Sequence, residues 1–168
     1  LPEPRPFDAE RFFSGAESCK LVKATGVVQA VEPAQGRHAL TIETDLRTFR
    51  ALVHTSIIRD DPQRLVDAVV RVVGVPMGLS NTRGQPVDPQ LYVDRAAWFE
   101  VIEPAVRGPF DVEKIPLESL GRFRRQPLRG HRIRTEGMVV HAVPGEAIYL
   151  QAATNGVLVE TDFAEPLS

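Results

Sequence analysis

One cysteine among 168 residues excludes a disulfide within the chain, so Cys19 leaves reducing and oxidising compartments equally open. Aromatic residues are sparse at 7%, too few for an extended row of stacking platforms. Charge of one sign is missing as well: 20 Lys and Arg stand against 22 Asp and Glu, a net charge of -2. No global field draws polyanions to such a molecule, and nucleic acid is not expected among its partners. No run approaches the roughly 20 apolar residues that cross a bilayer, and no signal-peptide core opens the chain. A membrane is therefore expected only through segments outside this sequence. Leu1-Pro2-Glu3 stands where an initiating methionine would, which is the expectation for a piece of a longer protein.

Catalytic signatures are absent too. There is no G-x-S-x-G, no Walker A loop and no dinucleotide fingerprint. His38, His54, His131 and His141 are scattered without a second ligand at metal spacing or a cysteine pair, so neither metal nor cofactor is expected. With no visible acid-base pair and no nucleophile beside its base, the chain reads as a non-enzyme. Cys19 lacks an activating histidine and is expected to be a small buried residue.

What the sequence does contain is β-structure. In "LVKATGVVQAV", Leu21 to Val31, alternation places Val22, Ala24, Gly26, Val28 and Ala30 on one strand face. "HALTIET" and "TFRALVHT" follow after short turns and complete a three-stranded meander. Asp61 as N-cap and Pro62 at the first helical position predict a short helix within "SIIRDDPQRLVDA". "VVRVVGV", Val69 to Val75, predicts a fourth strand and "MGLSNTRGQPVDPQ" a loop. "LYVDRAAWFEVIEP" predicts a fifth strand or bent pair, with Trp98, Val101 and Ile102 supplying core bulk. Three strands, a helix and two strands is the order of an OB-fold, a five-stranded Greek-key barrel; a small β-sandwich is the competing reading.

The second half repeats the first. "PFDAE" at Pro6 returns as "PFDVE" at Pro109, and each leads to a strand with a central glycine, Gly26 and Gly137. Leu40 and Ile42 correspond to Ile148 and Leu150, and "FRALV" to "GVLVE". The expected organisation is residues 1–107 as a first OB-like barrel with its lead-in, and residues 108–168 as the lead-in and first three strands of a second, incomplete copy. Gly26, Gly74 and Gly137 share a phrase, aliphatic-basic-two residues-glycine-aliphatic, and are expected where strands bend to close a barrel. "TNG" at Thr154 is expected to place Asn155-Gly156 in a tight hairpin turn. The truncated second copy predicts either continuation past Ser168 or an open edge that pairs two copies as a homodimer.

The strongest local oddity is "RFRRQPLRGHRIR", where Arg122, Arg124, Arg125, Arg129, Arg132 and Arg134 gather without an acid. Phe123 lies inside the run and Tyr149 in a later strand. The cluster is a candidate basic surface for single-stranded nucleic acid, or a solvated interdomain segment packed against acids such as Glu160, Asp162 and Glu165.

The strings "VVRVVGVPMGLSNTRGQPV", "LYVDRAAWFEVIEPA", "GPFDVEKIPLESLGRF" and "LRGHRIRTEGMVVHAVPGEAIYLQAATNGVLVET" resemble the tandem OB-like extracytoplasmic regions of bacterial membrane-bound sensor histidine kinases. The resemblance implies a non-catalytic sensor module on the periplasmic face of the inner membrane. It would bind an unknown small molecule or protein and signal, within a two-component system, to a kinase core beyond this chain. A single-stranded nucleic-acid-binding OB protein is the alternative.

Overall fold

Alternation of apolar residues builds the first sheet, and two long strands shape it into a barrel. The computed structural model describes residues 2–80, 86–106, 108, 110–112, 114–120, 131–162 and 164. Two compact units emerge, one of residues 1–107 with 129–131 and one of residues 108–128 with 132–168.

In the first unit the elements are β1 (Arg5–Pro6), α1 (Ala9–Phe13), β2 (Val22–Ala34), β3 (Arg37–Glu43), β4 (Thr48–His54), β5 (Val69–Ser80), β6 (Pro86–Val93) and β7 (Phe99–Glu103). β2 pairs with β3, β3 with β4, β4 in parallel with β6, β6 with β5, and β5 returns to β2. That cycle closes a five-stranded barrel with OB-fold connectivity, and β1 and β7 are short additions at its margins. Phe12, Val22, Val28, Leu40, Ile42, Val53, Val70, Val72, Leu91 and Val93 are completely buried in its core.

Gly26 and Gly74 sit where the long strands change partners. β2 pairs with β5 from Val22 to Val27 and with β3 from Val27 onward. β5 leaves β2 at Gly74 and begins pairing with β6 at Val75. A Cβ on Gly26 would collide with the Glu43 carbonyl, and one on Gly74 with the Tyr92 carbonyl. Strands coil sharply at barrel corners and neighbouring backbones close in, so only glycine fits there.

Several local expectations change. A β-bulge between Val28 and Ala30 resets the alternation of β2, so Val31 turns inward in place of Ala30. Beside that bulge, Asp67 takes a φ of 78° and donates its N–H to Val28 O at 2.7 Å. The helix after β4 shrinks to one 3-10 turn, Pro62–Leu65. Asp61 does cap it, but Val66 is already extended. Within the predicted loop from Met77 to Gln90, the described residues Met77–Ser80 and Pro86–Gln90 are strand, and a second bulge accommodates Gly78 and Pro89, where a Cβ on the glycine would lie 3.2 Å from the proline Cα. Val101 and Ile102 are exposed, since β7 is a margin strand paired with β5. Cys19 is also exposed, in a turn with φ of 61°.

The N-terminal lead-in packs on the barrel through Phe7, Phe12 and Phe49, whose rings lie 4.9 to 5.6 Å apart. Asp8 caps α1 by accepting from the Arg11 N–H at 3.0 Å. Glu17 is buried, its carboxylate bonded by Arg11 Nε and flanked at 3.9 Å by Arg5 and Lys20. The Arg11 hydrogen bond holds the Glu17 carboxyl below its ordinary range, reinforced by the charges of Arg11, Lys20 and Arg5.

The second unit contains a 3-10 turn (Leu117–Ser119) and an antiparallel meander of β8 (Met138–Val143), β9 (Ala147–Ala152) and β10 (Asn155–Glu160). Its internal geometry repeats the first meander, bulge included. Val28↔Ile42 and Ala30↔Thr41 across one bulge match Val139↔Leu150 and His141↔Tyr149 across the other. Phe49, opposite Ile42, matches Val157, opposite Leu150. "FRALV" therefore corresponds to "VLVET", one residue beyond the sequence alignment, and a one-residue slip would reverse every side chain.

The lead-in also repeats, but not at the PFD phrase. Phe7 donates its N–H to Lys23 O at 2.9 Å, and Ile115 donates to Arg134 O at 2.7 Å. Ile115, buried, is thus the partner of Phe7, while Phe110 of the second PFD is 75% exposed. In the β9–β10 turn, Ala153 takes the positive φ of 50° and Asn155-Gly156 already belong to β10. Val139 and Val159 are 43% and 36% exposed where Val28 and Ala51 are fully buried. Among the described residues, no strands equivalent to β5 and β6 cover the second meander.

Gly26→Ala is expected to destabilise the protein by about 3 kcal/mol, because its methyl strikes backbone. Gly36→Ala, at φ of 64° in open space, is expected to cost about 1 kcal/mol from strain alone. Urea unfolding midpoints compare the two, and equal losses would refute the corner argument. The Glu17 contribution to stability is full above the ordinary glutamate pKa. It drains as pH falls through the depressed value of the folded state. Stability profiles from pH 7 into acid should show Glu17→Gln flatter than wild type; parallel curves would remove Glu17 from the acid response.

Candidate nucleic-acid interface

The outer face of the first barrel is set by the same alternation that fills its core. With Leu40, Ile42, Phe49, Ala51, Val53, Leu91 and Val93 inward, the residues between them point out. Registers assemble these into rows across β3, β4 and β6: Arg37 lies opposite His54, Ala39 opposite Leu52 and then Tyr92, and Thr41 opposite Arg50. Gln90 and Asp94 flank Tyr92 on the same side of the chain.

Ala39 and Leu52 are buried yet stand outside the core cluster, so they form the apolar floor of this face. Arg37 lies over the Tyr92 ring, its Cζ 5.1 Å from the centroid. Its Nη1 donates to Asp94 Oδ1 at 2.5 Å and reaches Leu52 O at 3.5 Å. Arg50 Nη2 donates to Glu32 at 3.1 Å. At the rim, the Ser56 N–H donates to His54 Nδ1 at 3.2 Å, which leaves Nε2 to carry the proton of the neutral ring. Both arginines of the face are matched by carboxylates: the Arg50–Glu32 pair is solvent-exposed on both sides, contributes little and exchanges readily for another anion, whereas Arg37 is packed into the face with only Asp94 exposed.

Of the arginine run, Arg122, Arg124, Arg125 and Arg129 lie outside the described residues, as does Phe123. Arg132 and Arg134 belong to the second unit, and Arg134 is engaged with Phe110, donating to its carbonyl at 2.9 Å with Cζ 5.6 Å from its ring centroid. In the same unit Lys114 bonds Glu136 and holds its carboxyl below the ordinary range. Gly137, expected inside a strand, instead immediately precedes β8, where a Cβ would meet Gln151 O at 3.0 Å and the Leu117 side chain at 3.2 Å. His131 Nδ1 is 3.2 Å from Asp67 Oδ1, and His141 packs against Tyr149 at 5.5 Å. No group of three His, Cys, Asp or Glu suited to a metal ion occurs among the described residues, and no described helix is long and apolar enough to cross a membrane.

Arg37, Arg50, Tyr92 and Asp94 were absent from the sequence-derived candidates. Their signal was present in "GRHALTIE" and "LYVDR", where period-two alternation puts Tyr92 and Asp94 on the face opposite Leu91 and Val93. The Arg122–Arg134 cluster is dense in sequence, whereas these four residues meet only through the pairing of β6 with β4.

No family model matches the sequence, and no curated protein matches it. Solved structures of similar fold include an aspartyl-tRNA synthetase from Entamoeba histolytica, 17% identical with a TM-score of 0.49 over 63% of this chain and 23% of that one. An asparaginyl-tRNA synthetase from Pyrococcus horikoshii, complexed with asparaginyl-adenylate, is 17% identical with a TM-score of 0.48 over 62% and 24%. The S. pombe Stn1-Ten1 complex is 19% identical with a TM-score of 0.34 over 54% and 61%. The chain thus spans about a quarter of the length of the synthetases it matches. The expectation that nucleic acid is not a partner is corrected here, because its physical basis was unsound. Net charge averages over the whole surface, whereas an OB barrel engages a ligand through one local face.

Proposed function

We propose that the first barrel is a non-catalytic module that binds single-stranded nucleic acid on the outer face of β3, β4 and β6. One observation carries this reading: an aromatic ring, two arginines and an apolar floor, Tyr92, Arg37, Arg50 and Ala39–Leu52, share one continuous sheet surface. Strands two and three of an OB barrel are its usual binding surface, and β3 and β4 hold those places. Unpaired bases stack on aromatic and guanidinium planes, while an arginine in an exchangeable ion pair, as Arg50 is, meets the backbone. A duplex offers no free base faces, so the surface favours single strands.

Fluorescence anisotropy with labelled DNA and RNA oligomers of about 12 nucleotides, single-stranded and duplex, tests the reading at low and moderate salt. Single strands are expected to bind more tightly than duplex. Tyr92→Ala is expected to weaken them by about 1–3 kcal/mol while the thermal unfolding temperature stays near wild type. Equal affinity for duplex, or no binding at the lowest salt, would refute the proposal.

A further inference from the structure

We propose that Arg37 serves this face as a stacking plane instead of a phosphate ligand, and that Asp94 assigns it that role. The inference rests on the nucleic-acid reading and specifies how the ligand is read: through an unpaired base laid on a guanidinium-over-tyrosine stack. The geometry behind it is specific. A guanidinium presents donors along its edge and weakly hydrated faces above and below its plane. Here one face lies over Tyr92, with Cζ 5.1 Å from the ring centroid. The edge is committed through Nη1 to Asp94 Oδ1 at 2.5 Å and, at 3.5 Å, to the Leu52 carbonyl. With Cζ over the ring and Nη1 committed, the 23% of the side chain that stays open is what a ligand can meet.

Arg37 is only 23% exposed, whereas Asp94 is 51% exposed. The arginine is thus packed into the face and the carboxylate holds it from the solvent side. A phosphate drawing Arg37 away would have to displace Asp94 and uncover Tyr92 together. A base stacking on the guanidinium disturbs neither contact and gains from the positive charge beneath it. Arg50, by contrast, is tied through Nη2 to Glu32 and has no ring contact among the described residues, so it remains the natural phosphate contact of the face. Such a site reads base planes with little ionic contribution, and its binding responds weakly to salt.

Titrations of a labelled single-stranded oligonucleotide over a salt series separate the two roles. Each phosphate contact to a single strand adds about 0.7 to the slope of log K against log salt. Arg37→Lys, which keeps charge but loses the plane, and Arg37→Ala should both weaken binding about tenfold at the wild-type slope. Asp94→Asn should steepen the slope by about 0.7, because the released guanidinium can then reach a phosphate. Thermal melts of each variant confirm that the surface changes leave the barrel folded. Wild-type affinity in Arg37→Lys, together with a slope lowered by about 0.7 in Arg37→Ala, would identify a phosphate contact and overturn the inference. Wild-type affinity in all three variants would show the stack to be unused and overturn it as well. Loss of all binding by the wild-type protein would instead overturn the nucleic-acid reading and the platform with it.

Discussion

The barrel depends on two strands that each serve two neighbours. β2 begins against β5 and ends against β3; β5 begins against β2 and ends against β6. A flat strand cannot do this, because the partners lie in different layers and the backbone must coil between them. Coiling brings a neighbouring carbonyl to where a Cβ would stand, at Glu43 beside Gly26 and at Tyr92 beside Gly74. Without bare backbone at these two corners the cycle of strands would not close, and Leu40, Ile42, Val70 and Leu91 would lose their common interior.

The bulge in β2 is the next constraint in order. It turns Val31 inward, and Asp67 crosses back to bond Val28 beside it, so the connection from β4 to β5, residues 55–68, is tied to β2 just after its 3-10 turn. The same bulge recurs in β8 at the equivalent register. Its recurrence, with the Phe7 and Ile115 hydrogen bonds, makes the second meander a partial copy of the first at the level of hydrogen bonds. In the first unit β5 and β6 bury the inner residues of the meander. In the second, Val139 and Val159 remain open.

On the outside of the barrel, the same alternation that buried Leu91 and Val93 displayed Tyr92 and Asp94. Function on this face follows from packing: the core fixes the strands, the strands fix the rows, and the rows bring Arg37 over Tyr92 beside Asp94. Its cations are balanced locally by carboxylates, which is why the net charge of the chain was a poor guide to what the face can meet.

The sequence by itself determined the period-two strands of both meanders, the order of elements, the Asp61-Pro62 start of the 3-10 turn and the glycines at the bends. These are local properties, written in alternation, capping chemistry and the absence of a side chain. Only the tertiary structure decided which partner each half of β2 and β5 meets, where the bulges fall, and that Met77–Ser80 and Pro86–Gln90 extend as strand despite Gly78, Pro86 and Pro89. It alone shifted the repeat from Phe110 to Ile115 and gathered Arg37, Arg50, Tyr92 and Asp94 on one face. The physical reason is that pairing between distant strands is set by shared burial and backbone hydrogen bonds, which no single stretch of sequence carries.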